Sequence, residues 1–174
     1  MSVEKCLFCG ADIPEGRQVC PLCENQTVIE NPKRRDRKMK IVLDKGAIMP
    51  TRAHASDAGY DLYARERTIV CAKESACFDT GVHLEIPQGY VGFLKSKSGL
   101  NVKHGITSEG VIDSGYTGSI VVKLYNNDGY DYTVNAGDKI SQIVLLPIYT
   151  PEFEQVESLG ETERGENGFG SSGK

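Results

Sequence analysis

Asp113 lies in the string GVIDSGYTGSIVVKL, Gly110 to Leu124, between an apolar run and a glycine-rich turn, with no obvious salt-bridge partner in the string. A carboxylate so placed can orient and deprotonate water, and Tyr116, three residues on, offers a ring to pack against a sugar. In KSKSGLNVKHG, Lys97, Ser98 and Gly99 set a cation, a hydroxyl and an unencumbered backbone N–H in sequence. That trio suits a phosphate oxygen, although a solvated basic loop has the same composition. Asp61, flanked by apolar residues in ASDAGYDLYA, serves either as a turn cap or as the holder of a hydrated metal ion. Gln142 interrupts the apolar strand of GDKISQIVLLPI and needs a partner, backbone or ligand.

The chain closes on RGENGFGSSGK, Arg164 to Lys174, which suits neither helix nor strand. Either it is a solvated tail, or it is a flap whose glycines wrap an anion while Arg164 adds charge and Phe169 stacks on something flat. GFGSSGK has the spacing of a P-loop, but no Ser or Thr follows its lysine and no strand precedes it, so that motif fails on context.

The N-terminal thirty residues hold two Cys-x-x-Cys pairs, CLFC and CPLC. Each presents two sulfurs from one turn, so Cys6, Cys9, Cys20 and Cys23 complete a tetrahedral structural Zn2+ site. A redox dithiol or an iron site would use the same ligands. Few apolar side chains lie here, so metal would supply most of the folding free energy. Four thiolates leave no open coordination position, which argues against hydrolytic catalysis at this centre.

KRRDRKMK, Lys33 to Lys40, follows, with six of the twenty basic residues and one of the twenty-four acidic ones. It is expected to be a self-repelling linker, with a nucleic-acid or protein contact as the other use. The remainder has fourteen basic against twenty-three acidic side chains, a net of −9, so a polyanion must be held by a few local groups or a metal. No apolar run approaches membrane-spanning length, and MSVEKCLFCG lacks the apolar stretch of a signal peptide. A cytoplasmic protein with reduced cysteines is expected.

From Met39 onward the elements needed to position these groups are short strands: KIVLD, TIVCA, VHLEI, YVGFLKS, SIVVKLYN, YTVNA and KISQIVLLPIYT. Turn strings such as IPQGY, DSGYTG, NNDGY and NAGD separate them, and no segment keeps a 3.6-residue apolar period. An all-β barrel or sandwich is expected, with the polar clusters between strands and GVI and SIVVKL as the arms of a hairpin. Cys71 and Cys77 have no companion ligands and are expected to be small core or surface residues.

In this order, ASDAGYDL, SKSGL, GVIDSGYTG, GDKISQ and RGENGFGSSG resemble the five motifs of the homotrimeric dUTP nucleotidohydrolases, over about Met39 to Lys174. The resemblance implies a distorted jelly-roll β-barrel, trimeric, each active site built from three subunits and closed by a C-terminal arm, here residues 160–174. The module 1–30 and linker 31–38 fall outside it. It implies hydrolysis of dUTP to dUMP and pyrophosphate with Mg2+ on the triphosphate, clearing dUTP from the nucleotide pool and supplying dUMP for dTMP synthesis. Asp113 matches the water-activating aspartate and Asp61 the aspartate that contacts Mg2+ through water. Lys97, Ser98, Gly99 and Gln142 match phosphate-contacting positions. Gly110, Val111, Ile112 and the returning strand near Val121 match the hairpin that reads uracil through its backbone. Tyr116 matches the ring under the deoxyribose, Phe169 the ring on uracil, and Arg164 with Gly170, Ser171 and Ser172 the grip on the outer phosphates.

One position departs from the family. Lys97 stands where arginine is usual, a point charge in place of a planar fork. The dCTP deaminases share the fold but use a glutamate ten residues after the hairpin aspartate, where this chain has Lys123, which cannot act as that carboxylate. A third possibility is a dUTP-sensing protein acting through the N-terminal module.

Overall fold

The computed structural model describes residues 3–6, 11–14, 38–162 and 165. Strands β1 (Val3–Lys5) and β2 (Asp12–Pro14) pair antiparallel, Val3 opposite Pro14. From Ile41 onward there follow β3 (Ile41–Leu43), β4 (Gly59–Tyr63), β5 (Thr68–Val70), β6 (Ser75–Asp79), β7 (Val82–Leu84) and β8 (Tyr90–Ser96). Helix α1 (Ser98–His104), β9 (Ile106–Asp113), β10 (Val121–Asn126), β11 (Tyr132–Val134) and β12 (Lys139–Pro147) complete the order. The main sheet runs β4-β12-β8-β9-β10-β6, and the ribbons β11-β5 and β3-β7 accompany it. All these pairings are antiparallel.

Each expected strand is present from β3 onward. Alternation makes the core: in β10, Val122 and Leu124 are buried while Val121, Lys123 and Tyr125 face out. Leu62, Leu94, Ile106 and Ile143 join them in one apolar cluster. Each such side chain contributes about 1.5–3 kcal/mol on burial.

Three features differ from the expectation. The ASDAGYDLYA cluster does not lie between strands, because Gly59–Tyr63 is strand β4. Leu62 is fully buried in it, Asp61 pairs with Thr51 as well as Gln142, and the polarity of Asp61 conceals the strand. KSKSGLNVKHG is not all loop, because Ser98–His104 is helical. None of its residues is buried, so it carries no apolar stripe. It ends at Gly105, whose left-handed backbone (φ 61°) lets its N–H reach the Asn101 and Leu100 carbonyls.

The hairpin, finally, is closed only at its base. β9 and β10 pair at Ser108–Leu124, Thr107–Tyr125 and Ile106–Asn126 and then diverge. The cause lies at the start of β10: the Ile120 carbonyl accepts from the Thr80 N–H at 3.1 Å and the Thr80 hydroxyl at 2.7 Å, and the Ile120 N–H donates to Val82 O at 2.8 Å. The corner between β6 and β7 thus draws β10 away from β9. Beyond the barrel, residues 148–162 form neither helix nor strand, and Tyr149, Phe153 and Leu159 stand almost fully exposed.

Candidate active site

The divergence of β9 from β10 leaves a cleft of about 220 Å³ lined by Val111, Ile112, Asp113, Tyr116 and Val121. β9 bonds to β8 along Gly110–Leu94, Val111–Phe93 and Ile112–Gly92. Backbone groups of alternate residues in a strand point to opposite neighbours. Past Ser108, therefore, half of the β9 groups face the gap where the β10 ladder has ended. A Cβ at Gly110 would sit 3.0 Å from Leu94 Cδ1, so that side chain would have to give by a few tenths of an ångström. Asp113 is exposed at the end of β9, and its carbonyl accepts the Tyr116 N–H at 3.3 Å. Tyr116, 47 % exposed, donates its hydroxyl to Ser119 O at 3.0 Å, which fixes the ring at the rim of the cleft.

A second group of candidate residues gathers where β4, β12 and the end of β8 meet. Asp61 is 4 % exposed, and its two oxygens accept from Lys97 Nζ at 2.5 Å and Lys139 Nζ at 2.8 Å. Burial pushes this carboxyl upward, yet the hydrogen bonds and charges of Lys139 and Lys97 outweigh it and hold the carboxyl below its ordinary value. Lys97, expected as a free phosphate contact, is thus anchored by Asp61. Gln142 lies opposite Asp61 on one side and Lys95 on the other. Its partner is backbone, since Nε2 donates to Ser96 O at 3.2 Å. The amide lies across Gly59, where a Cβ would be 2.5 Å from Oε1. Ser98 and Gly99 open α1, whose first N–H groups have no partner within the helix.

Sequence reasoning missed Lys139, the second cation on Asp61, although its place three residues before Gln142 in GDKISQ was a usable signal. It also missed the hydroxyls joining the two groups. The Ser96 hydroxyl replaces a rung of the ladder, accepting from the Ser108 N–H at 2.9 Å, and the Ser108 and Ser141 hydroxyls meet at 2.9 Å.

Arg164, Phe169, Gly170, Ser171 and Ser172 lie outside the described residues, as do Cys9, Cys20 and Cys23. Cys6 follows β1, is buried, and donates its N–H to Ala11 O at 2.9 Å. A larger hollow of about 250 Å³, lined by Met39, Ile41, Met49, Pro50, Tyr60 and neighbours, holds no carboxylate, histidine or lysine. Among the described residues, no helix is long and apolar enough to cross a membrane.

Known proteins match the chain over most of its length. The dUTPase family pattern matches residues 45–173. The deoxyuridine 5'-triphosphate nucleotidohydrolase of Debaryomyces hansenii is 37 % identical over 159 residues, covering 88 % of this chain and 99 % of its own. A mutant dUTPase of Staphylococcus bacteriophage 80alpha, solved with dUpNHpp, superposes with a TM-score of 0.75 at 35 % identity, over 80 % of this chain and all of its own. A mutant dUTPase of the S. aureus phage phi11, described as coordinating a structural Mg(II) ion, superposes with a TM-score of 0.66 at 34 % identity, over 70 % of this chain and 97 % of its own. With its motifs, its barrel and these matches, the chain belongs to the dUTPase family.

Proposed function

We propose that this dUTPase hydrolyses dUTP to dUMP and pyrophosphate by attack of an Asp113-activated water on the α-phosphorus. The observation that carries the proposal is the open end of the β9–β10 pair, with Asp113 exposed at its lip. Backbone groups of Gly110–Ile112 and Val121 present uracil with an acceptor for N3–H and a donor for O4. Cytosine offers the opposite pattern and would leave buried groups unpaired. Tyr116 lies under the deoxyribose and crowds a ribose 2′ hydroxyl. Removal of the water proton by Asp113 is worth roughly 10²- to 10⁴-fold.

The phosphates belong with Lys97, Ser98, Gly99 and Gln142, and the arm, with Arg164, Phe169, Gly170, Ser171 and Ser172, closes on the outer phosphates and the base. Mg2+ takes most of its ligands from phosphate and water. Asp61 suits an outer contact to it: both oxygens already accept from ammonium groups, and each has a second lone pair for a metal-bound water. When bound, the ion neutralises triphosphate charge that would repel a hydroxide-like nucleophile.

The assembly is a homotrimer with shared active sites, supported by the exposed Tyr149, Phe153 and Leu159 on a segment without secondary structure. The chain divides into a zinc-binding module 1–30, a basic self-repelling linker 31–38, and a barrel from 39. Met39 packing on the core supports the last boundary. The four-cysteine spacing and the buried Cys6 beside a two-stranded ribbon support the first. Thiolate ligation suits the reducing cytoplasm.

Pyrophosphate release from dUTP beside dCTP, dTTP and UTP, with Mg2+, tests the activity. Selective dUTP turnover that Asp113→Asn lowers by about 10²- to 10⁴-fold is the expected result. Tight dUTP binding without turnover would replace the enzyme by a sensor.

A further inference from the structure

His83 on β7 is not among the family motifs quoted above, yet it touches the loop that carries Tyr116. Its Nδ1 lies 2.8 Å from Thr117 O, and its Nε2 lies 3.3 Å from Asp44 Oδ1, just after β3. Nε2 is buried and makes no geometrically sound hydrogen bond. Both facing atoms are oxygens that only accept. A neutral imidazole has one N–H, so whichever tautomer forms, one ring nitrogen turns a lone pair toward an oxygen. Only the doubly protonated ring turns a proton toward both oxygens, whereas a neutral ring keeps one N–H, toward Thr117 O or toward Asp44.

The surroundings favour that form. Asp79, at the end of β6, accepts from the Ser119 hydroxyl and from the Gly81 N–H, and Arg65 bridges Asp79 at 3.2 Å and Asp44 at 3.5 Å. Lys40 and Glu85, which with His83 and Thr117 line a neighbouring hollow of about 380 Å³, are paired to each other at 2.9 Å. The hydrogen bond to Thr117 raises the His83 pKa most; burial opposes it, and Asp44 and Asp79 add to the rise.

The loop between β9 and β10 is therefore fastened at two points. Ser119 is held by Asp79, and Thr117 is held by His83. Of the two fasteners only the imidazole changes charge near neutral pH.

We infer that His83 is a positioning residue for the nucleotide, its imidazolium clamping the Thr117 carbonyl to the Asp44 carboxylate and so setting Tyr116 against the sugar. The inference rests on the reading of Tyr116 as the sugar-facing ring. The clamp is complete below the ordinary histidine value of 6.5, and as pH rises through the raised one the neutral ring keeps only one of its two partners, which breaks the link from Thr117 to Asp44. Tyr116 then loosens, weakening dUTP binding and the discrimination against UTP.

The test compares the full-length protein with His83→Asn, whose amide can still donate to Thr117 O but does not titrate. In the unaltered protein, KM for dUTP is expected to rise about 2- to 10-fold from about pH 6 to about pH 9 at constant kcat, the worth of one hydrogen bond. The dUTP-over-UTP preference falls with it. In His83→Asn both become flat across that range. The Gly118 amide, bonded to the Thr117 carbonyl, is followed by NMR without nucleotide: it shifts with the His83 ring in the unaltered protein and stays still in the variant. A KM that does not change with pH, the same inflection in His83→Asn, or a Gly118 amide blind to the ring each overturns the inference. Absence of turnover with a titrating Gly118 amide would sink the proposed hydrolysis and uphold the clamp.

Discussion

Asp113 and Lys97 stand at opposite ends of one ladder. Asp113 is opposite Val91 at the start of β8, whereas Lys97 follows the end of β8 in extended backbone, six residues on. At about 3.4 Å per residue they are about 20 Å apart. Lys97 is moreover turned onto Asp61 and not toward Asp113, which sets it apart from a triphosphate whose α-phosphorus meets a water on Asp113 of the same chain. On the reading proposed above, the base and the phosphate contacts of one site then come from different chains, which is the physical content of a shared active site.

Complementation reads this directly. Asp113→Asn and Lys97→Ala are each expected to be nearly inactive. Refolded together in equal amounts, they should recover about a quarter of the original activity, because a site drawing its two halves from separate chains finds both intact in one case of four. No recovery, with mixed oligomers verified by mass spectrometry, would place both halves in one chain.

The ion triad around Asp61 should show itself in acid. Its carboxyl is held below the ordinary value, so its stabilisation is full above the unfolded carboxylate pKa and is lost as pH falls through the folded one. Asp61→Asn leaves Lys97 and Lys139 facing each other without a counter-charge, and is expected to cost about 1.5–3 kcal/mol near neutral pH. Urea unfolding of both proteins at a series of pH values should give curves that converge in strong acid. A constant gap at every pH would show that the triad does not titrate with folding.

The N-terminal module should carry zinc. Elemental analysis is expected to return one zinc per chain, and a thiol-reactive dye should find Cys6, Cys9, Cys20 and Cys23 only after chelation. Loss of the metal should unfold residues 1–30 and leave the barrel folded, seen as unchanged dUTP turnover. Cys71 and Cys77 are exposed and react in either case, so six reactive thiols before any chelator would remove the metal from the account.

Much of the barrel was legible because short runs rich in Val, Ile, Leu and Tyr between turn strings are legible: YVGFLKS and SIVVKLYN each announce a strand. β4 was not, because a buried Asp61 compensated by two lysines looks like a loop aspartate until its partners, 36 and 78 positions away in the chain, are seen. α1 was hidden for another reason. It fully buries no side chain, and Leu100 alone packs partly against the core, so no apolar period marks it, and its stop depends on the backbone of Gly105. Asp113 and Tyr116 could be picked out by residue type and context, but the gap beside them could not. It depends on Thr80 and Val82 capturing the backbone of Ile120, a contact no local pattern encodes.

That capture also bears on how such a protein can change. A pocket whose walls are side chains drifts to a new ligand one substitution at a time. The recess proposed here for the base exists because two strands part company, and the hydrogen-bonding pattern it would offer is written in peptide groups that every amino acid except proline shares. Point mutation at Val111 or Val121 can narrow or widen the opening, but the donors and acceptors stay in place. A change of preferred base would require an insertion or deletion that shifts the alignment of β9, an event far rarer than a codon change.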